Sequence, residues 1–231
     1  MRSGSSAAHA VFKATYASED LSLFPTEVKI LRWRTEPGFN ERLSRVCESL
    51  QQRVLAESLA FDEYNLWHED ASEICALKEM FVRGMTAYIE NHCKPETMLD
   101  FDYEMHAWLR IDKPKQIQAP HTHPLANLIA TYYCQADIAD RRVESIGYGK
   151  ATLVEGDLVV RDPRPGNQRK FSNADNEVSI SPEPGIMVIM PNFLLHWVNP
   201  VSSGDVRICI ANNLNFRKKV PIAVSGSFGS K

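Results

Sequence analysis

No apolar run in the 231 residues approaches the ~20 that span a bilayer as a helix. An excess of basic residues is missing too. Lys and Arg number 26 against 29 Asp and Glu, for a net charge of -3. That leaves no electrostatic footprint for a nucleic acid and no polybasic membrane surface. The segment Met1 to Ala10 is small and polar, without the apolar stretch of a signal peptide. The five cysteines (Cys47, Cys75, Cys93, Cys134, Cys209) include no CxxC pair and are odd in number and widely spaced. Neither a disulfide frame nor a zinc ribbon fits that pattern, so reduced, mostly buried thiols in a cytoplasmic protein are expected. There is no internal repeat. What remains is 44% apolar and 24% charged, enough for a sizeable core in one soluble domain.

Residues 1–20, rich in Ser, Gly and Ala, read as a flexible tail, and 21–231 as a single domain. Leu23 to Trp33 reads as an extended entry and a strand, broken by Pro37-Gly38. From Phe39 to about Leu59, apolar residues at Phe39, Leu43, Val46, Leu50 and Val54 step by three and four, which predicts an amphipathic helix. A second helix is expected from about Ala71 to His92, with Ile74, Leu77, Phe81, Met85 and Tyr88 on one face. Together they form a helical buttress over about 39–93. Beyond it, strands are expected at 105–111, 125–134, 151–161, 186–190 and 206–213, separated by Pro, Gly, Asn and Ser. Strands after helices predict a mainly β sandwich or barrel, with its core over about 101–217. Asp162 to Asn176 is the longest irregular piece and a candidate lid.

His121 and His123 stand at i and i+2 on an extended segment, so they share a face. A third histidine, His196, closes the apolar run Ile186 to Leu195. Imidazole is the commonest transition-metal ligand, and convergent imidazoles raise the question of a metal. His106 alternates with Trp108 and Arg110 and reads as a packed residue; His9, His68 and His92 read as solvated or capping. Arg207 lies in the apolar strand Val206-Arg-Ile-Cys-Ile. A buried guanidinium needs an anion: either a ligand carboxylate or a structural acid such as Glu155 or Asp157.

The motifs in order are Leu23-Phe-Pro-Thr26, Trp108-Leu-Arg-Ile111, His121-Thr-His-Pro124, Tyr132-Tyr133, Gly156-Asp-Leu-Val-Val-Arg-Asp-Pro-Arg164, Pro184-Gly185, Met190-Pro-Asn-Phe-Leu-Leu-His196-Trp-Val-Asn-Pro200 and Arg207-Ile-Cys-Ile-Ala-Asn-Asn213. This layout resembles the Fe(II)/2-oxoglutarate-dependent dioxygenases, and within them a subgroup of small oxygenases with His-x-His in place of His-x-Asp. The resemblance implies a double-stranded β-helix (jelly-roll) core. It implies Fe(II) as cofactor, with 2-oxoglutarate and O2 as cosubstrates, and His121 and His196 as iron ligands. Arg207 matches the arginine that binds the far carboxylate of 2-oxoglutarate, and Tyr133 a tyrosine that helps hold it.

Two departures stand out. His123 occupies the usual position of an acid, so either the site has three histidines or an acid from elsewhere, such as Asp162, ligates. Cys209 stands where many relatives have Ser or Thr. The implied activity is hydroxylation of an unactivated C–H bond of a small molecule, an amino acid or natural-product intermediate, releasing succinate and CO2. Asn127 and Trp108 are weaker pocket candidates, and Arg164, Arg169 and Lys170 on the irregular loop are candidates for meeting an anionic substrate. No nucleic-acid or membrane partner is expected; a homodimer stays open. The alternatives are a three-histidine metalloenzyme that does not use 2-oxoglutarate, either a cupin-like dioxygenase or a zinc hydrolase, and a non-catalytic jelly-roll binding protein.

Overall fold

Alternating apolar residues in strands from both halves of the chain build two antiparallel sheets that face each other. The structure, a computed structural model, describes residues 14–23, 26–59, 64–92, 101–136, 143–145, 152–163, 176–201 and 206–218. In chain order the elements are β1 (Thr15–Leu23), β2 (Thr26–Arg34), α1 (Phe39–Glu57), α2 (Ser72–His92), β3 (Phe101–Asp112), β4 (Gln118–His121), β5 (Leu128–Gln135), β6 (Val143–Ser145), β7 (Thr152–Val154), β8 (Leu158–Arg161), β9 (Glu177–Ile180), β10 (Ile186–Pro191), β11 (Leu195–Val198) and β12 (Arg207–Lys218). A short 3-10 turn at Leu66–His68 joins the helical part. One sheet has six strands in the order β1-β2-β10-β5-β12-β3, the other four in the order β4-β11-β8-β9, and β6 pairs with β7. From β3 onward the chain crosses between the two larger sheets, and distant strands become neighbours. That is the jelly-roll winding.

Period-two alternation divides the six-stranded sheet into two faces. Leu31, Ala130, Tyr132, Cys134, Met187, Ile189, Ile208 and Ile210 pack with the helices. Val28, Ile30, Ile129, Tyr133, Val188, Met190 and Cys209 pack instead with Leu158, Val160, Ile180 and Val198 of the smaller sheet. α2 buries the stripe expected of it, Ile74, Leu77, Phe81, Met85 and Tyr88, whereas α1 buries Phe39, Leu43 and Leu50 as expected together with Ser44 and Cys47, and leaves Val46 and Val54 half-buried. Each large side chain buried this way contributes about 1.5–3 kcal/mol. Gly38 precedes α1 at φ 77°, a left-handed turn that favours glycine. Gly84 lets α2 lie close on the sheet: a Cβ there would sit 2.8 Å from Leu31 Cδ1 and 3.0 Å from Met187 Sδ.

Four expectations need correction. Thr15 to Asp20, read as tail, pair with Lys29 to Arg34; the order comes from the exposed edge of β2, not from their own composition. The strand expected over 151–161 is split into β7 and β8, with Gly156 at φ 75° in the turn between them. His196 does not close the β10 run. The chain turns after Pro191, and His196 belongs to β11 in the other sheet. Last, β4 and β9, four residues each, were too short for a pattern to show. No helix among the described residues is long and apolar enough to cross a membrane. Cys93, Arg164, Arg169, Lys170 and most of the 162–176 segment lie outside the described residues.

Candidate metal centre and anion pocket

The smaller sheet places two histidines directly opposite each other. His121 is the last residue of β4, His196 is the second of β11, and the two are register partners. His123 follows in a turn fixed to the turn after β10. Its N–H donates to the Asn192 carbonyl at 3.0 Å, and Asn192 Nδ2 donates to the His123 carbonyl at 3.3 Å. The potential ligand nitrogens of His121, His123 and His196 all lie within 4.8 Å of one another. Ring centroids are 4.4 Å apart for His121 and His196, 5.1 Å for His121 and His123, and 5.2 Å for His123 and His196.

Each ring is tethered through Nδ1. His121 Nδ1 is 2.8 Å from the Ala119 carbonyl, His196 Nδ1 2.8 Å from the Leu194 carbonyl, and His123 Nδ1 3.0 Å from Asn213 Oδ1. A carbonyl can only accept, so each Nδ1 carries the proton and Nε2 keeps its lone pair. Such tethers fix tautomer and ring orientation at metal sites. Burial, with smaller repulsion from His121, lowers the His123 pKa to about 4. Burial likewise lowers His196 to about 4, against a hydrogen bond to the Leu194 carbonyl that raises it. Both rings are therefore neutral at pH 7, the form that ligates. Trp108 stacks on His123 with centroids 5.8 Å apart. Asp162, the acid weighed as an alternative ligand, follows β8, is buried, and is not part of the converging group.

A cavity of about 430 Å³, counting its opening to solvent, lies between the sheets beside His123 and His196. Its wall includes Trp108, Arg110, Tyr133 and Cys209. Strand register explains this wall. Arg110 is opposite Cys209, which is opposite Tyr133, so the three form one row across β3, β12 and β5. The next row pairs Asp112 with Arg207. Arg207 is 6% exposed; its Nη2 donates to Asp112 and its Nη1 to the Gly156 carbonyl at 3.3 Å. Arg110 Nη2 donates to the other Asp112 oxygen at 2.7 Å. The Nε of each arginine is buried and meets no acceptor among the described residues. Burial alone would raise the Asp112 pKa, but hydrogen bonds and charge from Arg110 and Arg207 hold it below the usual carboxylate value. Burial pushes the Tyr133 hydroxyl up and the Cys209 thiol up to about 12, so both stay protonated.

The acid on Arg207 is thus Asp112, not Glu155 or Asp157. Asp112, Arg110 and Asn213 were missed in the sequence, yet the signal was there. Asn213 has the parity of Arg207 and Cys209 on β12, and Asp112 and Arg110 have that of Trp108 on β3. Asn127 serves as a joint and does not line the cavity: its Oδ1 accepts from the Phe216 N–H at 2.7 Å.

Fold and donor set together define a jelly-roll protein with a cluster of three histidines that could hold a metal ion. Residues 106–213, which carry all three histidines and Arg207, match the family model described as "Putative 2OG-Fe(II) oxygenase". The resemblance read in the sequence therefore holds: the chain is similar to the 2OG-Fe(II) oxygenases, a family that uses Fe(II) and 2-oxoglutarate. No curated protein matches the sequence. Among solved structures, AviO1 from Streptomyces viridochromogenes Tue57 is similar at TM-score 0.52 and 17% identity, over 89% of this chain and 91% of that one. At that identity the likeness is one of fold. A Pseudomonas putida prolyl-4-hydroxylase is similar at TM-score 0.49 and 13% identity, over 80% of this chain and 84% of that one.

Proposed function

We propose that this protein is an Fe(II)- and 2-oxoglutarate-dependent oxygenase that hydroxylates an unactivated C–H bond of a small molecule in the cytoplasm. The chain from β1 onward would act as one catalytic domain. The observation that carries this reading is the set of three Nδ1 tethers, which leave three ring Nε2 atoms close together beside a cavity. His121, His123 and His196 would hold the iron. Three neutral ligands leave its charge uncompensated, which suits a dianionic cosubstrate. The far carboxylate would be held by Arg207, whose buried Nε meets no acceptor among the described residues, with Tyr133, which lines the cavity. When bound, iron with 2-oxoglutarate and O2 supplies the oxidation and yields succinate and CO2.

The chain's own part is positional. The two pinned turns hold His123 against His196, Trp108 fixes the His123 ring, and apolar Leu158, Val198 and Ile129 keep water from the cavity wall. The substrate class we infer is an amino acid or natural-product intermediate.

Protein purified without oxygen should bind one equivalent of Fe(II) and release succinate from 2-oxoglutarate once O2 is admitted. Metal binding without any succinate release would instead support the three-histidine enzyme that does not use 2-oxoglutarate. Failure to bind metal would leave the binding-protein reading. Replacing Asp162 by Ala should leave the iron content unchanged; losing iron in that variant would restore the acid as third ligand.

A further inference from the structure

We propose that Arg110, on edge strand β3, is a second guanidinium of the carboxylate site, and that a ligand carboxylate meets it from the cavity. The inference rests on the 2-oxoglutarate reading above and deepens it. It assigns to the far carboxylate a residue from the opposite end of the core sequence from Arg207.

Charge counting comes first. Arg207 and Asp112 alone form a neutral pair, and a neutral buried pair calls for no further anion. Arg110 shares the same carboxylate through its second oxygen. Two guanidiniums share the one carboxylate that both touch. A guanidinium that shares its acid keeps donors for a further carboxylate. Asp157, another buried acid nearby, accepts from Ser181 Oγ at 2.9 Å, and the ion pairs of both arginines go to Asp112.

Position comes next. Arg207 lies in the row beyond the cavity and does not line it, whereas Arg110 lines it together with His123 and His196. Its side chain is 34% exposed against 6% for Arg207, so a ligand can reach it. Its row continues through Cys209 to Tyr133, which places an arginine and a tyrosine hydroxyl across the width of the same pocket. The buried Nε of Arg110, without an acceptor among the described residues, is a donor aimed at no protein group. Arginine's planar fork suits a carboxylate held through two nitrogens. Asp112 is then a positioning residue: it orients both forks and touches no ligand itself.

The test titrates 2-oxoglutarate and oxalate into the full-length, Fe(II)-loaded protein without oxygen, followed by calorimetry. Oxalate offers the metal-chelating end and has no far carboxylate. Loss of a charge-assisted hydrogen bond in Arg110→Gln should weaken 2-oxoglutarate binding about tenfold or more and leave oxalate within about twofold. Arg110→Lys, which keeps the charge, should recover most of the loss, and it also guards against a folding defect in the glutamine variant. The inference is overturned if Arg110→Gln binds 2-oxoglutarate like the parent, or loses oxalate equally. A parent protein that binds oxalate and not 2-oxoglutarate would overturn this inference and the proposed function together.

Discussion

The two faces of the six-stranded sheet are built from alternate residues of the same strands, yet they do different work. On β5, Ala130, Tyr132 and Cys134 face the helices, while Ile129 and Tyr133 face the site. On β12, Ile208 and Ile210 face the helices, while Arg207, Cys209 and Asn213 face inward. The helix side is an apolar contact of large side chains and supplies stability. The inward side packs its own apolar residues against the smaller sheet and adds to them the guanidiniums, buried acid and ring tethers of the site. A one-residue shift in register would exchange the two sets, so the apolar face also fixes the aim of the chemical one.

That division can be broken from either side. The largest effect is expected at the metal. His196→Ala should lower iron retention by on the order of 100-fold or more, read as iron per protein after anaerobic gel filtration, while metal-free melting changes little. Phe81→Ala on the helix side should do the reverse, costing about 3–5 kcal/mol of stability by denaturant titration with iron per folded molecule preserved. Gly84→Val should cost about 1–3 kcal/mol, because its side chain would press into Leu31 and Met187. Asn213→Ala removes the tether on His123 and should weaken metal binding about tenfold at near-normal stability.

A separate effect is one of pH. His123 and His196 titrate near 4 in the fold against an ordinary 6.5. Between those values the unfolded chain binds more protons, so the metal-free protein should lose stability as pH falls from about 6.5 toward 4. Melting that stays flat across this window would mean that the rings are not held neutral by burial.

Much of this was legible in the sequence, for local reasons. Both helices announced themselves through apolar steps of three and four, and α1 begins at Phe39 as expected. His121 and His123 were visible through their spacing. Asp112 was not, because an acid 95 residues away from its arginine becomes a partner only once β3 and β12 pair. β1 was hidden for the same reason: its order is borrowed from β2. His196 was assigned to the wrong strand because Pro191 to Leu194 turn without a glycine, leaving an apolar run that reads as continuous. Local pattern thus specified elements, and nonlocal pairing specified electrostatics.

One detail of the smaller sheet bears on how the site assembles. β4 is a four-residue edge strand, joined to β11 at His121 opposite His196 and Gln118 opposite Val198, with a shift in register between them. A cation held by His121 and His196 would fasten this thin ladder through its side chains. The amides of Gln118, Ala119 and His121 should then exchange rapidly with deuterated solvent in metal-free protein and slowly after loading. On that reading metal uptake would be the last local folding event of the rim, and a cosubstrate would arrive at a wall already closed.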